Sequence, residues 1–200
     1  MIQIKTLIGY CSLVAAAISY VFYLRSVLQG RTKPHAFSWT TWGILTSIAF
    51  YAQYTNEAGA GAWATCLVAA FCFLVALLAF FIGEKDIRRS DCIMFVGALC
   101  ILPVWYATKN PLTAVIMVAV IDAFGGYYPT FRKSYYKPHQ EMLQLYIIGL
   151  IQVILSLFAM EHYYLVNIFY PLFIICGNTA FIAMVVWRRH KMNIPESVVD

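Results

Sequence analysis

Charge is absent from most of this 200-residue chain, and the places where it is absent dictate the fold. Seven runs, at 6–24, 36–56, 58–83, 92–108, 110–131, 142–160 and 162–187, contain no Lys, Arg, Asp or Glu except Asp122. Their lengths are 19, 21, 26, 17, 22, 19 and 26 residues. A helix rises about 1.5 Å per residue, so roughly 17 to 25 apolar residues cross a hydrocarbon core about 30 Å thick. All seven runs reach that length. Together they hold 150 of the 200 residues, which leaves no room for a separate soluble domain. The expected fold is therefore an all-α integral membrane protein with seven transmembrane helices and the lipid bilayer as its first partner.

Composition closes other routes. At 62% hydrophobic and 12% charged residues, the chain cannot be a disordered tail, a disulfide scaffold or a nucleic-acid module. Its net charge of +5 concerns orientation instead. Basic residues in short loops are retained on the cytoplasmic side. Lys5 and Lys109 lie on one side of the seven runs; Arg25, Arg31, Lys33, Lys85, Arg88, Arg89, Arg132, Lys133, Lys137, Arg188, Arg189 and Lys191 lie on the other. This 12 to 2 division predicts an outside N-terminus and a cytoplasmic C-terminus, which requires an odd number of crossings. Lys5, a short apolar run and Ala15-Ala16-Ala17 also fit a cleavable signal peptide, but the run continues through Ile18 to Leu24, as a membrane span does.

Sliding the chain against itself by 104 residues exposes a repeat. Lys33-Pro34-His35 falls on Lys137-Pro138-His139, Tyr23 on Tyr127, Glu57 on Glu161 and Cys72 on Cys176, among 11 identities over the 80 positions from Ile8 to Ile87. The offset needs no gap and lays runs one, two and three on runs five, six and seven. Run four is left over, and its extra crossing makes the two halves run in the same direction. The division expected is a first three-helix repeat at 1–90, a linker helix at 91–108, a second repeat at 109–191 and a short cytoplasmic tail at 192–200.

This three-plus-one-plus-three order resembles that of the SWEET and PQ-loop superfamily, whose parallel repeats are related by an axis along the membrane normal. The residues add to the likeness. Tyr127-x-Pro129-Thr130 followed by Arg132-Lys133-Ser134 is similar to the PQ-loop motif, with Thr130 in place of Gln, and Ser38-Trp39-x-x-Trp42 is similar to the start of a PQ-loop second helix. In the first half, Tyr23-Leu24-Arg25-Ser26 keeps the Tyr and lacks the Pro. Asp122-x-x-Gly125 with Pro129-Thr130, Pro138 and Glu141 resembles small bacterial inner-membrane members of that superfamily. The resemblance implies a location in the bacterial inner membrane and a carrier that rocks its two bundles about a mid-membrane site.

Candidate site residues follow from the cost of polarity in lipid. A charged side chain at a helix centre costs about 2.5 to 3.5 kcal/mol on insertion scales, so one that persists faces a cavity or a partner. Asp122 is the one such residue, and Gly125, Gly126 and Pro129 follow it at i+3, i+4 and i+7 on the same helical face. The glycines permit close approach. Pro129 removes a hydrogen bond to the Gly125 carbonyl, so these three residues are the candidate hinge. Gln152 and Asn178 stand at mid-depth in runs six and seven, opposite Ile18, Ile48 and Leu74 of the repeat register, while the first half offers Ser19, Thr46, Ser47 and Cys72, with Trp42 a turn nearer the cytoplasm. The expected substrate-binding or coupling set is thus Asp122, Asn178, Gln152, Trp42 and Ser47. Against it stands a plainer use: amides glue helices together in membranes, and Asp122 could do the same.

No Lys or Arg lies at mid-depth to pair with Asp122, which leaves a proton or a transported cation for that role. The six cysteines lie in or beside apolar runs with no C-x-x-C pair and read as small packing residues, and no two histidines have metal-ligand spacing. Enzyme motifs are absent, and run seven lacks the Lys that a retinal protein requires. The expectation is a non-enzymatic transporter without cofactor or metal, taking an unidentified small molecule with a coupled proton or cation, with a second copy of the chain as a compatible protein partner. The alternative is a receptor or accessory protein of the same fold that does not transport.

Overall fold

The computed structural model describes residues 2–31, 33–83, 89–138 and 143–192. Within them every regular element is a helix: α1 (Ile2–Leu28), α2 (Ala36–Thr55), α3 (Trp63–Ile82), α4 (Arg89–Thr108), α5 (Pro111–Tyr136), α6 (Leu143–Phe158) and α7 (Leu165–Lys191). A 3₁₀ turn, Gly59–Ala62, leads into α3. Five helices are long and apolar enough to cross a membrane: α1, α3 with its leading turn, α4, α5 and α7. Helix α6, at 16 residues, is shorter. Helix α2 has the length but carries Ser38, Thr40, Thr41, Thr46, Ser47 and Gln53, which lower its hydropathy. Of the expected hinge and loop residues, the Pro129 backbone continues α5, whereas His139 and Glu141 lie outside the described residues.

Helix ends follow local chemistry. The His35 imidazole caps α2 by accepting from the Ser38 N–H, and Asn110 caps α5 by accepting from the Leu112 N–H, with Pro111 at the first helical position. Helix α3 packs along both α1 and α2, and α7 along both α5 and α6. Between these groups α1 meets α6 and α2 meets α5, while α4 lies against α2 and α5. Small residues line the contacts. Ala49, Ala52, Ala98, Ala114 and Ala119 join Leu45, Ile101, Val115 and Val118 in the largest core, shared by α2, α4, α5 and α7.

The exterior is apolar instead of polar. Leu7, Val14, Val21 and Leu28 repeat every seven residues along the exposed side of α1, and Phe73, Leu77, Phe80 and Phe81 cover that of α3. Only Cys72 of the six cysteines is buried; the other five sit on this outer surface. Their expected role in packing therefore fails for five of the six, because an apolar exterior accommodates a thiol as readily as a core does.

Successive helices run in opposite directions, which gives the bundle two ends. At one end the Lys5 ammonium donates to the Met160 carbonyl at 2.6 Å, and Tyr51 of α2 meets Trp105 of α4 at 5.5 Å between ring centres. At the other end the Arg188 guanidinium donates to the Tyr135 carbonyl at 2.8 Å and Arg189 to that of Pro138 at 3.1 Å.

Candidate functional site

Asp122 lies where α5 changes register. Because Pro129 has no N–H, an α-helix cannot run through it with all bonds intact. The chain instead forms a π-helical turn over Ala123–Tyr127, in which the Tyr128 N–H reaches the Ala123 carbonyl five residues back. The Thr130 hydroxyl donates to the Gly126 carbonyl at 2.8 Å and steadies the far side of the turn. Widening the helix here aims two side chains inward.

The first is Asp122, which is 5% exposed. Its Oδ1 accepts from the Trp42 indole N–H of α2 at 3.1 Å, and its Oδ2 accepts from the Tyr170 hydroxyl of α7 at 3.0 Å. Both donors are neutral, and they come from helices on either side of α5. Gly126 makes the arrangement possible, since a Cβ there would collide with Asp122 Oδ1 and stand 3.0 Å from Trp42 Nε1. The second inward side chain is Tyr127, whose hydroxyl donates to Asn178 Oδ1 at 2.8 Å and whose ring covers Gly177. Trp42 is in turn backed by Trp39, with ring centres 5.2 Å apart.

The other expected residues lie at different places. Asn178 faces Tyr127 through its amide oxygen. Gln152 is buried at the contact between α6 and α1, where its backbone carbonyl accepts from Ser12 Oγ at 2.8 Å. Ser47 turns back on its own helix and donates to the Gly43 carbonyl at 2.7 Å. Thus Asp122, Trp42 and Gly126 converge, Gly125 lies beside them, and Gln152 and Ser47 are held elsewhere. Tyr170 is missed by the sequence reading, and Tyr127 is read there only as part of a motif and a repeat, because 14 tyrosines in an apolar chain do not distinguish one that lines a site from one that anchors a helix end.

On one side of Asp122 the α2–α4–α5–α7 core is packed solid; on the other, toward the basic end, a crevice opens between α2, α4 and α5. Its volume is about 50 Å³ and its lining includes Ser38, Thr41, Ser90, Asp91, Met94 and Gly125. A few water molecules fit such a space. Across its mouth His35 Nε2 stands 3.7 Å from Asp91 Oδ2. No group of three or more His, Cys, Asp or Glu able to hold a metal occurs among the described residues. Set against protein-family models, characterised proteins and solved structures, the chain matches none of them, so the chemistry of the site has to be argued from its own residues.

Proposed function

We propose that this chain is a membrane transporter in which two three-helix repeats, 1–90 and 109–191, rock about Asp122 to move a small solute, with α4 as the linker between them. The observation that carries this reading is the way Asp122 is held. A carboxylate in the middle of an apolar bundle bonds at once to Trp42 of the first repeat and Tyr170 of the second, at a register change in its own helix. A group bridging two bodies through neutral donors is placed to feel, and to drive, their relative movement. Binding a proton or a cationic solute there alters what Trp42 and Tyr170 must satisfy, and a ligand shifts an equilibrium only through such differential contacts.

The packing pattern supports the repeat. Helix α3 packs on α1 and α2 as α7 does on α5 and α6, and the cross-contacts α1 with α6 and α2 with α5 are the pair that a two-fold exchange of halves would interconvert. The apolar exterior and the 12 to 2 division of basic residues support seven crossings of a bacterial inner membrane with the N-terminus outside. Reporter fusions after Asn56, Lys109 and His162 should then report outside, and fusions after Lys33, Arg89, Lys137 and Asp200 inside; a cytoplasmic signal from Lys109 would break the arrangement.

The functional test begins with a thermal-shift screen of small metabolites on purified protein, followed by uptake of the stabilising compounds into proteoliposomes. Asp122→Asn keeps the shape and removes the titration, so it should fold and insert yet lose pH-dependent uptake. If Asp122→Asn transports with the parent's rate and pH dependence, Asp122 is a packing residue and the coupling mechanism falls. If no stabilising compound crosses the membrane with the parent protein, the transporter reading falls with it.

A further inference from the structure

The crevice contains a hydroxyl that the fold leaves without a partner. Thr41 is 6% exposed, lines the crevice, and its Oγ1 makes no hydrogen bond. Its neighbours on α2 behave differently. Thr40, Thr46 and Ser47 all bond back to carbonyls of their own helix, at 2.8, 2.6 and 2.7 Å, which is the ordinary resting place of a helical hydroxyl. Leaving a buried hydroxyl unpaired costs about 1–3 kcal/mol, and since Oγ1 is shut off from water as it stands, a turn of the Thr41 side chain toward the crevice, which has room for water, is what gives it a partner.

The polar groups form a file. Ser90 and Asp91, in the first turn of α4, lie at the basic end with His35 facing Asp91; Ser38 and then Thr41 stand further along α2, and Asp122 lines the same crevice. His35 Nδ1 lies 3.4 Å from the Ser38 N and 3.1 Å from Ser38 Oγ, and its Nε2 faces Asp91. Beyond Asp122 the route stops against buried Leu45, Val118 and Ala119.

We propose that this crevice between α2, α4 and α5 is a hydrated proton-access route joining Asp122 to the basic end of the bundle, with the Thr41 hydroxyl as its internal relay. The inference rests on the transporter reading only in giving the proton a use; the route itself is a property of the resting protein. In the relay, a water on the mouth side gives a proton to Thr41 Oγ1 as the original Thr41 proton passes to a water on the Asp122 side. That water protonates the carboxylate. At Thr41 Oγ1 and at each water one O–H bond forms and one breaks, the mouth-side water taking its replacement proton from solvent at the basic end; at Asp122 one O–H bond forms, and the net result is one proton moved from solvent to the carboxylate. The partners of Asp122 suit both states. The Trp42 N–H can only donate, which keeps Oδ1 an acceptor, whereas the Tyr170 hydroxyl can donate to a carboxylate or accept from a protonated Oδ2. The titratable groups around Asp122 are Tyr170 from α7, Tyr127 from its own helix, Cys72 from α3 and, through the crevice, Asp91 from α4. None of them is a cation.

The Trp42 indole N–H, bonded to Asp122 Oδ1, reports water at the closed end when the variants are compared at one pH. Protein labelled with ¹⁵N-tryptophan and reconstituted in nanodiscs is transferred to deuterated buffer, and indole exchange is followed by NMR, with Trp42→Phe identifying the resonance. Thr41→Val, which removes the hydroxyl and keeps the shape, should slow Trp42 exchange by about tenfold, the worth of one lost hydrogen bond to a buried water. Thr41→Ser should restore it, and Ser47→Ala should leave it at the parent's rate. Equal exchange in the parent, Thr41→Val and Thr41→Ser would overturn the route, as would a slowing that Thr41→Ser does not reverse. The measurement needs no substrate. Uptake that depends on Asp122 alongside unchanged exchange in Thr41→Val would sink the route alone; slowed exchange with no uptake would sink the transporter alone.

Discussion

The two ends of the bundle solve the problem of buried polarity in opposite ways. At the Lys5 end, polar side chains are spent on the backbone of neighbouring segments. Asn167 Nδ2 donates to the carbonyls of Asn56 and His162, both at 2.8 Å; Ser156 donates to the Gly61 carbonyl; and the Glu161 N–H donates to the Ala58 carbonyl. Gln53 supplies the bond that Pro171 cannot make, since its amide reaches the Asn167 carbonyl at 3.3 Å, four residues before that proline. Ala58, Ala62 and Met160 close the remaining space. The amide oxygens of Gln53 and Asn167 stay unpaired inside that packing, whereas toward the basic end the buried Thr41 and Ser134 hydroxyls lack partners and Thr41 lines a crevice with other polar groups. The difference teaches which end is shut in this conformation: the crevice reaches Asp122 from the basic end, and on the proposed transport reading, opening the other end would mean breaking the Asn167 and Met160 contacts.

The largest expected effect comes from breaking that closed end. Asn167→Leu strips the donor from the part-buried carbonyls of Asn56 and His162 at a side chain that is itself fully buried, and each lost bond costs about 1–2 kcal/mol. For a chain of this size the melting temperature in detergent should fall by about 10 °C. A fall of only a degree or two would mean that the contacts at this end are incidental, and the contrast between the ends would lose its basis.

Next is Gly126→Ala. Its Cβ would press on Asp122 Oδ1 and Trp42 Nε1, groups fixed by their own hydrogen bond, and such overpacking costs about 1–3 kcal/mol. The adjacent Gly125→Ala meets Met94 Cγ at 2.9 Å and Sδ at 3.0 Å instead. A thioether side chain moves aside cheaply, so this variant should lose less than about 1 kcal/mol. Melting curves of the pair check the ranking, and the Trp42 indole resonance should shift in Gly126→Ala far more than in Gly125→Ala. A reversed order would show that the π-helical turn relaxes around the carboxylate.

How far these features were legible in the sequence differs between fold and site. Charge spacing locates the helices seen among the described residues, five of them long and apolar enough to cross a membrane, and the ends of α2, α4 and α5 fall within five residues of the expected runs. Asp122, Gly126 and Trp42 are legible for a related reason: a lone carboxylate, a glycine one turn away and a tryptophan below mid-depth are each rare enough to stand out. Tyr170 is not, since nothing in its neighbourhood separates it from the tyrosines at the helix ends. Thr41 is harder still. It is one of several hydroxyls on α2, and only the packing of α4 decides which of them cannot bond back to its own helix. The π-helical turn lies between these cases. Pro129 announces a lost hydrogen bond to Gly125, but whether the helix kinks or widens depends on the fit of Gly126 beneath Asp122.

A smaller effect should come from Tyr170→Phe, which removes one donor from Asp122 while the Trp42 bond remains. The loss is about 1 kcal/mol, near the net worth of a single hydrogen bond, because Asp122 itself lines the crevice and can turn the freed Oδ2, which Tyr170 holds toward the packed core, to the water there. The same change on the closed side, where no water reaches, would cost more. If Tyr170→Phe lowers the melting temperature as much as Asn167→Leu, then Asp122 is as dry as the closed end and the crevice does not hydrate it.

The smallest effect expected is at Ser47, and it tests whether mid-depth polarity by itself signifies function. Ser47 is half-buried, and its hydroxyl bonds the Gly43 carbonyl of its own helix, a carbonyl that also takes the Thr46 hydroxyl at 3.3 Å. Removing it leaves no group unpaired, and alanine is the better helix former. Ser47→Ala should therefore change stability by no more than about 0.5 kcal/mol and leave uptake untouched. Ser12→Ala is the matched opposite: Ser12 is 1% exposed, and its hydroxyl reaches across from α1 to the Gln152 carbonyl of α6, so its loss removes a buried bond between two helices and should cost about 1 kcal/mol. Two serines of one chain then separate by partner alone. A Ser47→Ala variant that impairs uptake while melting like the parent would mean that this hydroxyl leaves its helix during the transport cycle, and Ser47 would rejoin Asp122 among the residues that meet the solute.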